Sequence, residues 1–194
     1  MENAGQAKVE LRRAALARRD GLPSAQRDAA AAALAVRPLP FAIERGQVVA
    51  GYMPIRSELD PQPLMRALAA QGGQLVLPVV VARDAPLLFR QWRPGDALVR
   101  GGLGILEPAA GAALRDPQIV LVPLAAFDRS GHRIGYGAGH YDRTLAGLRA
   151  HGVELITVGV AFAIQQVDRV PALPHDVPLD YIVTEHETIE TRRH

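Results

Sequence analysis

The sequence predicts an α/β layered fold built on a largely parallel sheet. Two observations lead there. Short apolar, β-branched runs alternate along the chain with segments whose apolar residues recur at helical spacing. One such run, Ile119 to Pro123, feeds a loop with glycines at 131, 135, 137 and 139, which opens directly into a helical pattern from His140. At 194 residues the chain is long enough for a sizeable core, and a single domain over residues 1–194 is expected.

Residues 7–20 read as a helix that stops at Gly21, a usual place for one to end. At 100° per residue, Lys8, Arg12 and Arg19 fall within about 40° of one another, a single cationic stripe. Taken alone, such a stripe is a solvated face. Pro23-Ser24 starts a second, alanine-rich helix that runs to about Val36. Gln47 to Met53 is a strand, followed by the loop Pro54 to Asp60. From Pro61 to Gln71 the pattern is helical, with Leu64 and Leu68 on one face and Asp60 as the cap. Gln74 to Val81 is a strand, and Leu87 to Trp92 alternates as an added strand near the rim of a site. Gly101 to Pro108 reads as loop. Ile119 to Val122 is a central strand, His140 to Ala150 a helix and Val153 to Val160 another strand. A proline-punctuated loop from Val170 leads to a last short strand at Tyr181 to Val183.

Composition excludes several classes of function. The chain has no cysteine, so disulfides, thiolate metal ligands and cysteine nucleophiles are ruled out. Its longest apolar run, Ile119 to Phe127, is broken by Pro123 and too short to span a bilayer. No apolar stretch follows the N-terminal charges as in a signal peptide, and a cytoplasmic protein with no membrane partner is expected. A net charge of +2 gives no case for nucleic acid. Lys8 is the only lysine, against 21 arginines. Lysine supplies a mobile point charge that can follow a phosphate, where arginine supplies a planar fork.

A strand, a glycine-rich turn and a helix N-terminus make a phosphate cradle. Missing side chains let the backbone approach an anion, and free N–H groups with the helix dipole attract it. Asp142, in the helix's first turn, is placed to hold a divalent metal against the phosphates. The loop is neither a dinucleotide fingerprint nor a Walker loop, and a tight turn is its bland reading. Glu58 follows a strand, the usual place for a ligand-binding carboxylate in such sheets, or else it caps a turn. Trp92 stacks on a flat ring or packs in the core. His175-Asp176 is a metal or catalytic pair, or a simple turn. His132, His151, His186 and His194 carry no usable pattern.

Taken in order, these pieces resemble the 5-formyltetrahydrofolate cyclo-ligase family. The matching segments are Lys8-Val9-Glu10-Leu11-Arg12, Tyr52-Met53 with Glu58, and Gly104-Ile105-Leu106-Glu107-Pro108. Phe127-Asp128, Gly131 and Arg133-Ile134-Gly135-Tyr136-Gly137-Ala138-Gly139-His140-Tyr141-Asp142-Arg143 follow, then Val160-Ala161-Phe162 with Gln165 or Gln166, and Leu173 to Pro178. The 127–143 segment is highly specific; the others are individually modest. Some positions depart from the family: residue 140, usually aromatic, is His140, Leu124 stands where glycine is common, and Ala138 replaces a basic residue or glycine.

The resemblance implies a three-layer α/β/α sandwich and an enzyme that converts 5-formyltetrahydrofolate to 5,10-methenyltetrahydrofolate with ATP and magnesium (Mg2+). It implies ATP contacts over Lys8 to Arg12 and Arg133 to Tyr141. Magnesium is expected on Asp142, with Asp176 as a further candidate for the same ion. Met53 and Glu58 are expected to hold the folate, and Tyr136 to His140 to touch both ligands. Lys8, Arg12, Glu58, Arg133 and Tyr141 would carry the reaction, in a monomer. Two other readings stand beside this one. A sugar-phosphate isomerase or CoA-transferase-like enzyme needs a further pocket carboxylate, for which Glu107 is the candidate. A non-catalytic nucleotide- or folate-binding module would keep the glycine loop without needing Asp142.

Overall fold

The computed structural model describes residues 2–172 and 176–191. Two helices open the chain, α1 (Glu2–Asp20) and α2 (Ser24–Val36), followed by strand β1 (Val48–Ala50), helix α3 (Gln62–Ala70) and strand β2 (Gln74–Val79). Then come β3 (Leu88–Gln91), β4 (Leu98–Arg100), β5 (Leu106–Pro108), β6 (Ile119–Pro123), β7 (Ala126–Phe127) and β8 (Arg133–Ile134). Helix α4 (His140–Ala150) and strands β9 (Ile156–Val160), β10 (Tyr181–Val183) and β11 (Thr188–Glu190) complete it.

The main sheet has seven strands in the order β11-β10-β9-β6-β1-β2-β3. Its centre is parallel, β10 with β9, β9 with β6, β6 with β1 and β1 with β2. The edge strands β11 and β3 are antiparallel to their neighbours. Strands buried on both faces are what their unbroken apolar runs require. On one face Val49, Leu75, Ile119 and Val158 pack with Ala30, Ala31 and Leu34 of α2 and Leu64, Met65 and Leu68 of α3. The alternate residues, Val48, Ala50, Val76, Val120 and Val122, meet Leu145 and Leu148 of α4 on the other. This is the three-layer α/β/α sandwich expected.

The layers come close where side chains vanish. A Cβ added at Gly159 of β9 would lie 2.7 Å from Leu179 Cδ1 and 2.9 Å from Leu124 Cδ2, both in the packed core. Gly159→Ala should therefore cost about 1–3 kcal/mol of stability, read as a lowered denaturant midpoint with an unchanged slope.

Several boundaries differ from the sequence reading, each for a local reason. Gly101 to Pro108 is not all loop: β5 pairs antiparallel with β4 around a 3-10 turn at Gly102–Gly104. Strands this short show no readable alternation, which also hid the β7–β8 hairpin and β11. β1 is shorter than the apolar run because Tyr52 and Met53 leave the sheet and become cavity wall. Trp92 is core: it is buried and its indole N–H donates to the Asp96 carbonyl. Asp60 behaves as the cap expected, its Oδ1 accepting from Gln62 N at 2.9 Å. Leu173, Pro174 and His175 of the last matched segment, and His194, lie outside the described residues.

Helix α1 stands apart from the two main layers. Its Ala15 and Leu11 pack with Ala126 of β7, Ile134 of β8 and Val170 in a separate cluster. That packing lays α1 across the loops that follow β6, and it decides where the cationic stripe goes.

Candidate active site

In open α/β sheets ligands bind beyond the carboxyl ends of the strands, where the strand order reverses. Here the order reverses between β1 and β6, which are neighbours although β2 follows β1 on its other side. A cavity of about 640 Å³ lies at that point. Its walls are the segment after β1 (Tyr52, Met53, Glu58), the end of β2 (Pro78, Val80), the loop from β8 into α4, and Lys8 and Arg12 of α1.

The glycine loop forms one wall. Gly137 (φ +96°) and Gly139 (φ +68°) sit in the left-handed region that side chains resist, and Gly139 is the N-cap of α4. No side chain caps this helix start, so its first-turn N–H groups are left for an anion. Arg12 braces the loop from α1, its Nε donating to Gly135 O at 2.7 Å. Lys8, one turn earlier, is ion-paired with Asp176. Arg133 is buried, its Nη2 donating to Asp142 Oδ1 at 2.7 Å and its Nη1 to the Val177 carbonyl. Burial pulls its guanidinium below the ordinary arginine range, opposed by the charges of Asp142 and Asp176. Both expected metal carboxylates thus flank one arginine.

The other end of the cavity is a buried carboxyl in a phenol-rich wall. Glu58, 8% exposed, accepts from Ile55 N at 2.8 Å and hydrogen-bonds the Tyr136 side chain. Burial pushes its pKa above the usual carboxylate value, while Tyr136, the Ile55 amide, Arg19 and Arg56 pull the other way. Desolvation likewise raises the Tyr52, Tyr136 and Tyr141 phenols, so all three stay protonated at neutral pH. Tyr52 OH donates to Leu59 O at 2.8 Å and ties down the loop that carries Glu58.

Arg19 joins the two ends, and the sequence reading gave it no role beyond the stripe. It is 1% exposed, far from a solvated face. Its Nη1 donates to Tyr136 OH on the glycine loop, and its Nε to Ser57 Oγ beside Glu58 at 3.0 Å. The carbon of its guanidinium lies 5.8 Å from the centre of the Tyr136 ring. Its place on the helical stripe with Lys8 and Arg12 was the signal that pointed inward.

The remaining expected residues divide. Met53, Ile134, Ala138, His140 and Tyr141 line the cavity with those described above. His140 Nδ1 lies 3.0 Å from Ala85 O, and since a carbonyl only accepts, that nitrogen carries the proton in this contact. Within the Lys8 to Arg12 segment, helical spacing brings the two cations to the cavity. Val9 and Glu10 are exposed instead, and Leu11 packs under the β7–β8 hairpin. Glu107, the carboxylate an isomerase reading would need, is not in the cavity wall and folds against Gly101.

A layered α/β domain with a glycine loop, clustered cations and a buried carboxyl at the switch point of its sheet has the architecture of a ligand-binding enzyme domain. Comparison with known proteins makes this particular. The model of the 5-formyltetrahydrofolate cyclo-ligase family matches residues 4–185. The 5-formyltetrahydrofolate cyclo-ligase of Mycolicibacterium smegmatis is 35% identical over 186 residues, covering 91% of this chain and 93% of that protein. That of Escherichia coli K12 is 36% identical over 141 residues, 70% of this chain and 76% of its own. The NMR structure of Aquifex aeolicus 5,10-methenyltetrahydrofolate synthetase aligns with a TM-score of 0.78 at 30% identity, over 96% of this chain and 94% of that one. The chain belongs to the 5-formyltetrahydrofolate cyclo-ligase family and is an enzyme of that family. Among the described residues no helix is long and apolar enough to cross a membrane.

Proposed function

We propose that this chain catalyses the ATP- and magnesium-dependent conversion of 5-formyltetrahydrofolate to 5,10-methenyltetrahydrofolate, with release of ADP and phosphate. The observation that carries the reading is the meeting, in one cavity, of a phosphate cradle ringed by Lys8, Arg12 and Arg133 with the buried carboxyl of Glu58. The two ends suit the two substrates. A cavity of about 640 Å³ is ample for the reacting parts of both.

The formyl group on N5 is an amide, and its oxygen is a hopeless leaving group. In the proposed route that oxygen attacks the γ-phosphorus of ATP while the bond to the β-phosphate oxygen breaks and ADP departs. N10 then attacks the activated formyl carbon. The carbon–oxygen bond breaks, phosphate leaves with the former formyl oxygen, and N10 gives up its proton. No strong base is needed, and positioning with charge stabilisation carries the catalysis. Lys8, Arg12 and Arg133 offset charge on the transferring group, with the glycine-loop amides beneath it. Glu58 receives adjacent N–H donors on the pterin edge, a charge-assisted pairing strengthened by burial. Met53 packs beside the ring, and Tyr136 to His140 lie between the two substrates, with Tyr141 behind them.

Asp142 and Asp176 would hold magnesium. The donors they offer are two carboxylates on either side of the Arg133 guanidinium. That fits a magnesium ion, which keeps waters and takes one or two carboxylates together with substrate phosphates. When bound it supplies charge neutralisation for the phosphates. Lys8 and Arg133 are paired with Asp176 and Asp142, and with magnesium on those carboxylates the two cations would be free to serve phosphate oxygens.

The test is growth of the methenyl chromophore when purified protein meets 5-formyltetrahydrofolate, ATP and magnesium. A band that needs both ATP and metal supports the reading. Folded protein that binds ATP and forms no band overturns it.

A further inference from the structure

We propose that Arg56 binds the glutamate carboxylates of the folate substrate at the mouth of the cavity and selects for that charged tail. The inference rests on the folate reading above and adds a subsite to it.

Arg56 is the only non-glycine residue with a positive φ among the described residues, at +55°. It is the first central residue of a turn closed by Glu58 N donating to Ile55 O at 3.1 Å. A turn with positive φ at that position ordinarily takes glycine, asparagine or aspartate. An arginine there is strained, and such strain persists at ligand sites because the surroundings enforce it. The surroundings here are clear: the Glu58 carboxylate accepts from Ile55 N across the same turn, and the Tyr52 hydroxyl holds the Leu59 carbonyl just beyond.

The turn puts a guanidinium on the cavity wall that is also open to solvent. Its state differs from that of every other cation around the site. Lys8 is paired with Asp176, Arg133 with Asp142, Arg12 is engaged by the Gly135 carbonyl, and Arg19 is buried on Ser57 and Tyr136. Arg56 has no hydrogen bond or ion pair among the described residues. Its side chain therefore offers its whole fork to a ligand.

Which ligand group it meets follows from the order of residues along the loop. Met53 and Glu58 hold the pterin in the buried part of the cavity, and Arg56 stands between them in sequence at the exposed rim. A folate seated with its ring on Glu58 extends its aminobenzoyl-glutamate outward, toward solvent. The α- and γ-carboxylates of that glutamate are planar anions that match a guanidinium fork. The phosphate cradle has its own cations in Lys8, Arg12 and Arg133.

The experiment compares two substrates, 5-formyltetrahydrofolate and its analogue with both glutamate carboxylates converted to primary amides. Methenyl formation is followed with wild type, Arg56→Gln and Arg56→Gly. Glycine relieves the positive φ, so a folding defect cannot explain its result. Wild type should favour the acid over the bis-amide about 10-fold in kcat/KM. Both variants should bring that ratio close to unity through KM, and added salt should do the same in wild type. A ratio unchanged by both substitutions overturns the proposal. Equal loss on acid and bis-amide also overturns it, since Arg56 would then act only on Glu58. Absence of product from either substrate with wild type would instead bring down the folate reading itself.

Discussion

Asp142→Asn is expected to lower turnover about 100- to 1,000-fold while leaving the protein folded. The carboxylate sits in the first turn of α4, directly behind the glycine loop, and the proposed metal depends on its charge. Asparagine keeps an Oδ1 that accepts from Arg133 Nη2, so the local geometry survives. The Asp142 side chain is 34% exposed but that of Arg133 only 5%, so weakening the pair leaves a buried guanidinium less well compensated and should cost about 1–3 kcal/mol. Steady-state kinetics against thermal melting separates the two effects. Retention of turnover would show that the Asp142 carboxylate does not hold the metal. The variant should also need more magnesium for half-maximal rate, a dependence that a purely structural residue would not alter.

Glu58→Gln is expected to lower kcat/KM for the folate about 30- to 100-fold and to make the protein more stable at neutral pH. The activity loss follows from exchanging a charge-assisted acceptor pair for an amide with one donor end. The stability gain follows from burial, which raises the Glu58 pKa in the folded state. A raised folded pKa means that the native protein binds the proton more tightly than the unfolded chain. Its favourable contribution is complete below the unfolded value and is lost as pH rises through the folded one. The neutral amide never suffers that loss. The melting-temperature difference between variant and wild type should be largest at pH 7–8 and shrink toward zero below about pH 4. A difference independent of pH would show that Glu58 is not the buried, charged group described.

The two halves of the site were unequally readable, for physical reasons. Arg133 to Asp142 is a continuous segment whose strand, glycine turn and helix start are local events, so spacing alone marked the glycine loop and Asp142 as one unit, while Arg133 and Tyr141 entered through the family resemblance. Glu58 was legible by its place after a strand. Arg19 was not, because its partners are remote: Ser57 is 38 residues away and Tyr136 is 117 away. Only the packing of α1 over the β7–β8 hairpin turns that face of the helix inward. Arg56 could not be singled out either, since a positive φ at a non-glycine residue leaves no mark in composition or periodicity. The sheet was predicted through its long central strands. Its satellites β4–β5 and β7–β8 were missed because two or three residues carry no period.

The central claim is that the formyl oxygen is phosphorylated and departs as phosphate. The most direct test is a single turnover with 5-formyltetrahydrofolate carrying a heavy-oxygen label in its formyl group, ATP and magnesium, with the inorganic phosphate analysed by mass spectrometry. The account predicts one labelled oxygen in each phosphate released. Unlabelled phosphate, with the heavy oxygen recovered in water, would mean that ATP is hydrolysed beside the cyclisation and would contradict the mechanism.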